Sequence, residues 1–349
     1  MWQDFDTDTE PSVREQRVKP ALAVPGVVTI RARPGIRLRA LGFSYLLILP
    51  AVIILGLFHI FPIFYAFYIS LHKWKIQKQA YVGLDNYTRA LHSDEFWNAI
   101  RTTVWFVVGT VPIGLIVALF LAIMLFRPIA GRTFYRVVLF LPYITPPLAM
   151  AIVWSWMYKQ DGAGLVNAFL GVLGIGNQRW LLDSRGVFDL IATNFGLHVP
   201  PLLQGPPLPL VAIMLYSLWS SIGFDTIIFL AGLSNVPKEV VEAAQIDGAN
   251  QFQIATRVVA PLLRPTILFL SIISVLRAFQ VFNPIYAMTL GGPAQKTETI
   301  TFFIFDQFFQ QVNVGYGAAI AMLLFVILFV ITLIQLRLGE ERRVGRAGG

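Results

Sequence analysis

The sequence predicts an all-α integral membrane protein with six transmembrane helices, and three observations carry that prediction. Of the 349 residues, 56% are hydrophobic and only 13% charged. That is half the ~25% charge of a soluble globular protein, so most of the folded surface cannot face water. Six separate stretches are apolar over the length a helix needs to cross a bilayer, roughly 20 residues for a core about 30 Å thick. The 27 Lys and Arg then sort by side once the spans are drawn. The same composition excludes disorder, collagen, a long coiled coil and a disulfide-stapled secreted scaffold. There is no cysteine, so disulfides and thiolate metal sites are excluded, and His59, His72, His92 and His198 are too scattered for a zinc site. A net charge of +8 would point to nucleic acid in a soluble chain. Here a membrane accounts for it, and no nucleic-acid partner is expected.

The elements follow in order. Residues 1–42 form an N-terminal tail that runs from acidic (Asp4, Asp6, Asp8, Glu10) to basic, suited to contact with anionic lipid. The first span, Phe43–Leu71, is long enough to tilt, and with the loop after it makes a unit over 43–101. It is too long for the apolar part of a signal peptide and lacks a small-residue cleavage site, so none is expected to be removed. The core unit, 102–338, begins with the uncharged second span, Thr102–Phe126. The third span, Val137–Tyr158, carries Pro142, Pro146 and Pro147 and is expected to kink there. Trp154 and Trp156 fit an aromatic belt at its outer end. The fourth, fifth and sixth spans are Pro209–Leu233, Thr266–Leu290 and Val312–Leu336, and residues 339–349 form a C-terminal tail. Val187–Leu208 is apolar but broken by Asp189, His198 and four prolines, which favours an external loop or interfacial helix over a seventh span. With six spans, 17 Lys and Arg fall on the side of both termini, nine fall on the other, and Arg277 lies within a span. Both termini are therefore expected in the cytoplasm.

The connector after the fourth span, 235–265, does not read as a simple turn. Pro237 suits a first helical turn, Lys238–Ile246 contains strong helix formers, Gly248 breaks the helix, Asn250 caps a second and Pro261 ends it. Ala243 and Ala244 beside Glu242 offer a surface for close packing. Two helices lying flat at the membrane face make either a docking knob or an amphipathic connector serving only its own bundle.

Glu242-Ala243-Ala244, then Gly248, nine residues, Val258 and Pro261 resemble the EAA motif of permease subunits of bacterial ABC importers. Ala260 stands where that family has Leu. Ile246-Asp247-Gly248-Ala249, Gly83-Leu84-Asp85-Asn86-Tyr87 and Gly291-Gly292-Pro293 resemble the carbohydrate-uptake, maltose-permease-like branch. The resemblance covers about residues 43–338 and implies the type I importer permease fold. It implies a second related permease, two copies of an ATP-binding subunit that carry ATP and Mg, and an external solute-binding protein. It also implies that Glu242, Ala243, Ala244, Asp247 and Gly248 couple to the ATPase. No cofactor is expected on this chain, because Gly171–Gly176 lacks the Lys-Ser/Thr ending of a phosphate loop. No catalytic residue is expected either.

Polar residues within spans are costly and usually face a cavity or one another. Ser217, Ser220, Ser221 and Phe224 share one face of the fourth span. Hydroxyls beside an aromatic ring suit a sugar, though serine also serves helix packing. The resemblance implies sugar contact at these four positions. In the fifth span Ser274, Arg277 and Gln280 form a stripe with Asn283 near it. A buried arginine needs a partner; Asp225, at similar depth, is expected to pair with it. A direct contact of Arg277 with substrate stays open. The expected function is import of a di- or oligosaccharide such as maltose or trehalose, with glycerol 3-phosphate or a phosphodiester as the alternative. An ion-coupled secondary transporter would show repeats and more titratable groups within spans. A membrane enzyme would show a carboxylate cluster at a span end. Neither has a reason to carry the EAA loop.

Overall fold

The computed structural model describes residues 34–160, 164–194, 196, 199–200 and 204–344. They fall into two compact units that divide between Phe61 and Pro62. In the first, helix α1 (Pro34–Leu55) runs through a π turn, Gly56–Ile60, into α2 (Phe61–Ser70). From Phe43 to Phe61 its large apolar side chains are exposed all round, as on a helix whose solvent is lipid. Tyr45–Ser70 is long and apolar enough to cross a membrane.

The second unit opens with α2 from Pro62 onward and continues into a small layer. Strands β1 (His72–Trp74) and β2 (Lys78–Tyr81) pair antiparallel, and α3 (Asp85–Leu91) follows. The Gly83–Tyr87 motif is what fastens it. The Asn86 amide donates to Ser70 O at 2.8 Å and His72 O at 3.1 Å, and the Ser70 and Tyr87 hydroxyls lie 2.6 Å apart.

Helix α4 (Asp94–Phe126) starts where the Ser93 hydroxyl accepts from Phe96 N, with Asp94 and Glu95 in its first turn. Both features favour a helix N-terminus. Its buried stripe (Ala99, Thr103, Phe106, Thr110, Gly114, Ala118, Ala122) repeats every three or four residues. Small residues at that spacing let another helix approach closely. The partner is α9 (Leu208–Leu233), which with α4 forms the spine of the bundle.

The third span is broken rather than kinked. Helices α5 (Arg132–Ile144) and α6 (Pro147–Met157) meet at 97°. Thr145 is extended and Pro146 and Pro147 supply no N–H, so no helical ladder crosses the corner. Helix α5 lies against α9 at Gly223, where an added Cβ would sit 1.8 Å from Leu139 O. Only glycine permits that approach.

After α7 (Leu165–Val172), helix α8 (Val187–Asn194) has eight residues, about 12 Å at 1.5 Å per residue. That is too short to span. Gly186 bridges to Pro207, so the segment folds back on the start of α9. Of the Val187–Leu208 stretch, residues 195, 197, 198 and 201–203 lie outside the described residues. Asn167, 1% exposed, holds the preceding loop. Its amide donates to Lys159 O and Gln178 O, and its carbonyl accepts from Gln178 N and Trp180 Nε1, all within 2.9–3.1 Å. Leucine at this position keeps the volume and removes all four bonds. Buried carbonyls left unpaired cost about 1–3 kcal/mol each. Asn167→Leu is therefore expected to raise limited-proteolysis rates between 159 and 180 on the order of tenfold.

Beyond α9 come α10 (Lys238–Ile246), α11 (Gln251–Gln253), a π turn Ile254–Val259 and α12 (Ala260–Leu262). The fifth span is α13 (Arg264–Phe279) and α14 (Asn283–Met288), separated by Gln280–Phe282. Then α15 (Ile300–Phe305) runs through a π turn, Asp306–Gln310, and α16 (Val314–Val344) closes the chain. Among the described residues, five helical stretches are long and apolar enough to span, and the bent pair α5–α6, taken as one span, makes a sixth.

Candidate functional site

Two features stand out, a cavity inside the bundle and a knob at one end of it. The cavity, about 310 Å³, lies among α4, α9, α13 and the α5–α6 corner. Ser217, Ser220 and Ser221 line it from α9, Arg277 and Ser274 from α13, Gln280 from the break after α13 and Asn283 from the start of α14. Four further walls, Phe106, Thr110, Tyr143 and Tyr216, were not singled out as site residues from sequence. Thr110 has a visible signal, because it sits on the small-residue stripe of α4. Tyr143 has none beyond its place before the proline corner. Tyr216 gives its O–H to Pro147 O at 2.8 Å, which fixes the corner against α9.

Phe224 is not a wall. Its ring stacks on Tyr143, centroids 4.6 Å apart, and the Arg277 guanidinium lies 5.1 Å from its centroid. Arg277 Nη2 donates to Asp225 Oδ1 at 2.6 Å and to Ser274 Oγ at 3.0 Å. The pair is asymmetric: the Asp225 side chain is 3% exposed and that of Arg277 31%. The carboxylate is sealed in the helix interface, and the guanidinium turns part of its surface to the cavity. The Ser217 and Ser220 hydroxyls have no hydrogen-bond partner among the described residues and are only half-buried. They are free to bond a guest. Among the described residues no group of three metal-ligating side chains is placed to hold an ion.

The knob is the 235–265 connector. Helix α10 starts after Pro237, and Gly248 takes φ +79° to reverse the chain. Asn250 and Gln253 then form a capping box that starts the second helix. The second helix does not end at Pro261. Helical backbone runs without a break from Gln251 through the π turn, and it ends at Leu262, one residue past that proline. Glu242, Ala243, Asp247 and Gly248 are exposed, while Ala244 is half-buried against the bundle together with Val236 and Val241. The most exposed large apolar side chains on the knob are Ile246 at 86% and Phe252 at 76%, neither of which the sequence reading singles out as a contact. Such residues on the polar end of a bundle are the usual anchors of a protein interface. Arg127, just past α4, donates to Gln251 Oε1 at 2.7 Å and so ties the knob to the spine.

Residues 110–344 match the family described as binding-protein-dependent transport system inner membrane component. Over 310 residues the chain is 32% identical to the trehalose/maltose transport system permease protein of Thermococcus litoralis, covering 88% of this chain and 97% of that one. It is 31% identical to the sn-glycerol-3-phosphate transport system permease protein of Rhizobium meliloti, covering 85% and 94%. It is 29% identical to the arabinooligosaccharides transport system permease protein of Bacillus subtilis, covering 84% and 87%. The fold is similar to that of a chain in a bacterial ABC transporter for the acidic polysaccharide alginate. There the TM-score is 0.71 at 21% identity, over 89% of this chain and 99% of that one. The chain belongs to the binding-protein-dependent transport system inner membrane component family, the permease subunits of ABC importers.

Proposed function

We propose that the chain forms half of the translocation pathway of an importer for a di- or oligosaccharide and is driven by ATP hydrolysed on a partner subunit. The observation that carries this reading is the intramembrane cavity. Its lining combines unpaired serine hydroxyls and the Gln280 and Asn283 side chains with the aromatic residues Tyr143 and Phe106. A sugar offers polar edges and apolar C–H faces, and needs both kinds of wall. The volume of about 310 Å³ falls at the lower end of the ~300–1,000 Å³ typical of small-molecule sites, as expected for half of a shared site. Relatives named for trehalose/maltose and arabinooligosaccharide transport support the same substrate class.

The partners in this reading are a second related permease, two copies of the ATP-binding subunit and an external solute-binding protein. One solved neighbour is an alginate transporter in complex with its oligosaccharide-bound periplasmic protein. The knob is cytoplasmic, as are both termini, and its Glu242, Ala243, Ala244, Asp247 and Gly248 sit in the ATPase with Ile246 and Phe252 as anchors. ATP and Mg bind on the partner. Closure of the ATPase pair moves the knob, and the Arg127–Gln251 bond carries that motion to α4. A second reading, import of glycerol 3-phosphate or a phosphodiester, is favoured by the part of Arg277 that faces the cavity and by the sn-glycerol-3-phosphate relative.

Reconstituted complex in proteoliposomes, offered maltose, trehalose, an arabinooligosaccharide and glycerol 3-phosphate, is expected to accumulate a sugar with ATP. The double variant Ser217→Ala/Ser220→Ala should raise its half-saturating concentration at the cavity about tenfold, the worth of one or two hydrogen bonds. Uptake of the phosphate alone favours the second reading, and uptake of neither defeats both.

A further inference from the structure

At the end of the bundle opposite the knob, a second cavity of about 280 Å³ has no part in the pathway. Its walls include Arg89 of α3, Glu95 at the start of α4, Glu298, Asp306 and the rings of Phe303 and Tyr316. Three carboxylates face one guanidinium there. Arg89 is stacked on the Tyr316 ring, 4.3 Å from its centroid, and forms no ion pair among the described residues.

Glu298 is the unusual member. It lies between Thr297 and Thr299, both wholly buried, and is itself 4% exposed. Its Oε2 has no hydrogen-bond partner among the described residues. The neighbouring threonines are fully used: Thr297 Oγ1 donates to Gly292 O at 2.6 Å and Thr299 Oγ1 to Val281 O at 3.2 Å. The backbone is thus locked with the carboxyl turned into the cavity. A buried carboxylate without a donor is among the costliest groups a protein can keep.

We infer that this cavity receives the ammonium or guanidinium of a basic side chain carried by the docked external solute-binding protein. The occupant follows from the walls. Three carboxylates against one arginine call for a cation, and two aromatic rings favour an organic one over a metal ion. The space is large for a bare ion, and the described residues present no metal-ligand group. A planar guanidinium can bond Glu298 on its edge and lie on a ring with its face. The location, on the end opposite the knob, is where the importer reading puts the docked protein, so the assignment of the occupant rests on that reading.

Burial holds the Glu298 carboxyl up at about 7, from an ordinary 4.5, with Asp306 and Glu95 pushing the same way. The facing groups are Arg89 on α3, Glu95 on α4, Asp306 on the π turn and Tyr316 on α16, with Lys296 in the neighbouring cavity. A cation binds the ionised form, so affinity rises as pH climbs through about 7. Stability without the cation runs the other way. The unfolded carboxyl ionises near 4.5 and the folded one near 7, so the folded state loses stability across that window and the loss is complete above it. Glu298→Gln should therefore raise the melting temperature at pH 8 and change it little at pH 4.5.

The test uses the full permease complex in nanodiscs. Methylguanidinium chloride is expected to raise the wild-type melting temperature with millimolar half-saturation, relative to sodium chloride at equal ionic strength. In Glu298→Gln that response should weaken at least tenfold. Equal responses, or none in wild type, overturn the cavity as a cation site. Binding protein should dock at least tenfold more weakly on Glu298→Gln, with ATPase activity in its absence unchanged, and methylguanidinium should compete with docking on wild type. Methylguanidinium that binds without competing makes the occupant a free cation and overturns the docking assignment. Binding protein that fails to dock on wild type strikes at the importer reading itself, whereas equal docking on both proteins strikes only at this inference.

Discussion

Arg277→Ala is expected to be the most damaging single substitution in the membrane core. It leaves Asp225, 3% exposed, with no partner for its carboxylate inside the helix interface. Removing one member of a buried pair costs about 3–5 kcal/mol. Asp225→Ala should cost less, on the order of 1–3 kcal/mol. The guanidinium it strands keeps its bond to Ser274, lies by the Phe224 ring and turns 31% of its side-chain surface outward. The double variant Arg277→Met/Asp225→Leu should melt close to wild type, since a buried ion pair is often replaceable by apolar groups of similar volume. Melting temperatures of the four proteins in one detergent check the order. If both single substitutions cost the same, the asymmetric burial is not what sets the energetics. Uptake by the double variant then separates the two roles of Arg277. A sugar pathway should keep most of its rate, and a phosphate pathway should lose it.

The second large effect lies in the knob. Gly248 has φ +79°, and an added Cβ would meet nothing within 4 Å. Side-chain size is therefore not what excludes other residues; the left-handed backbone is. Asn, which tolerates that conformation, should turn the chain nearly as well, and Val should not. Gly248→Val is expected to cost about 1–2 kcal/mol locally and to cut coupled ATP hydrolysis by more than tenfold, while the spans still fold. Gly248→Asn should retain most of the activity unless the open space around Gly248 is where the ATPase packs. The contrast between the two variants reads out backbone shape and partner contact separately.

Much of this was legible in the residues. The span limits came from apolar length alone, because a bilayer imposes a length that a soluble fold does not. The serine stripe and Arg277 were legible because polar groups in lipid are expensive, and they do line the cavity. Phe224 shares their helical face but tilts away to stack on Tyr143, which a periodicity cannot foresee. The 97° corner at Thr145–Pro147 was underread as a kink: two adjacent prolines remove consecutive donors, and whether the chain bends or breaks depends on what packs outside it. That Ile246 and Phe252 stand exposed is not legible, since nothing in a pattern of small residues says which neighbouring apolar side chain stays uncovered. Glu298 was invisible from sequence. Its significance comes entirely from the burial and hydrogen bonding of the threonines on either side.

In the proposed mechanism the 235–265 knob drives this permease. The most direct measurement is ATPase activity of the full complex with and without loaded solute-binding protein, for wild type and Ile246→Asp/Phe252→Asp. Stimulation is expected in wild type and its loss in the double variant, which keeps its folded spans but releases the ATPase. Undiminished stimulation with both anchors replaced by carboxylates would contradict it.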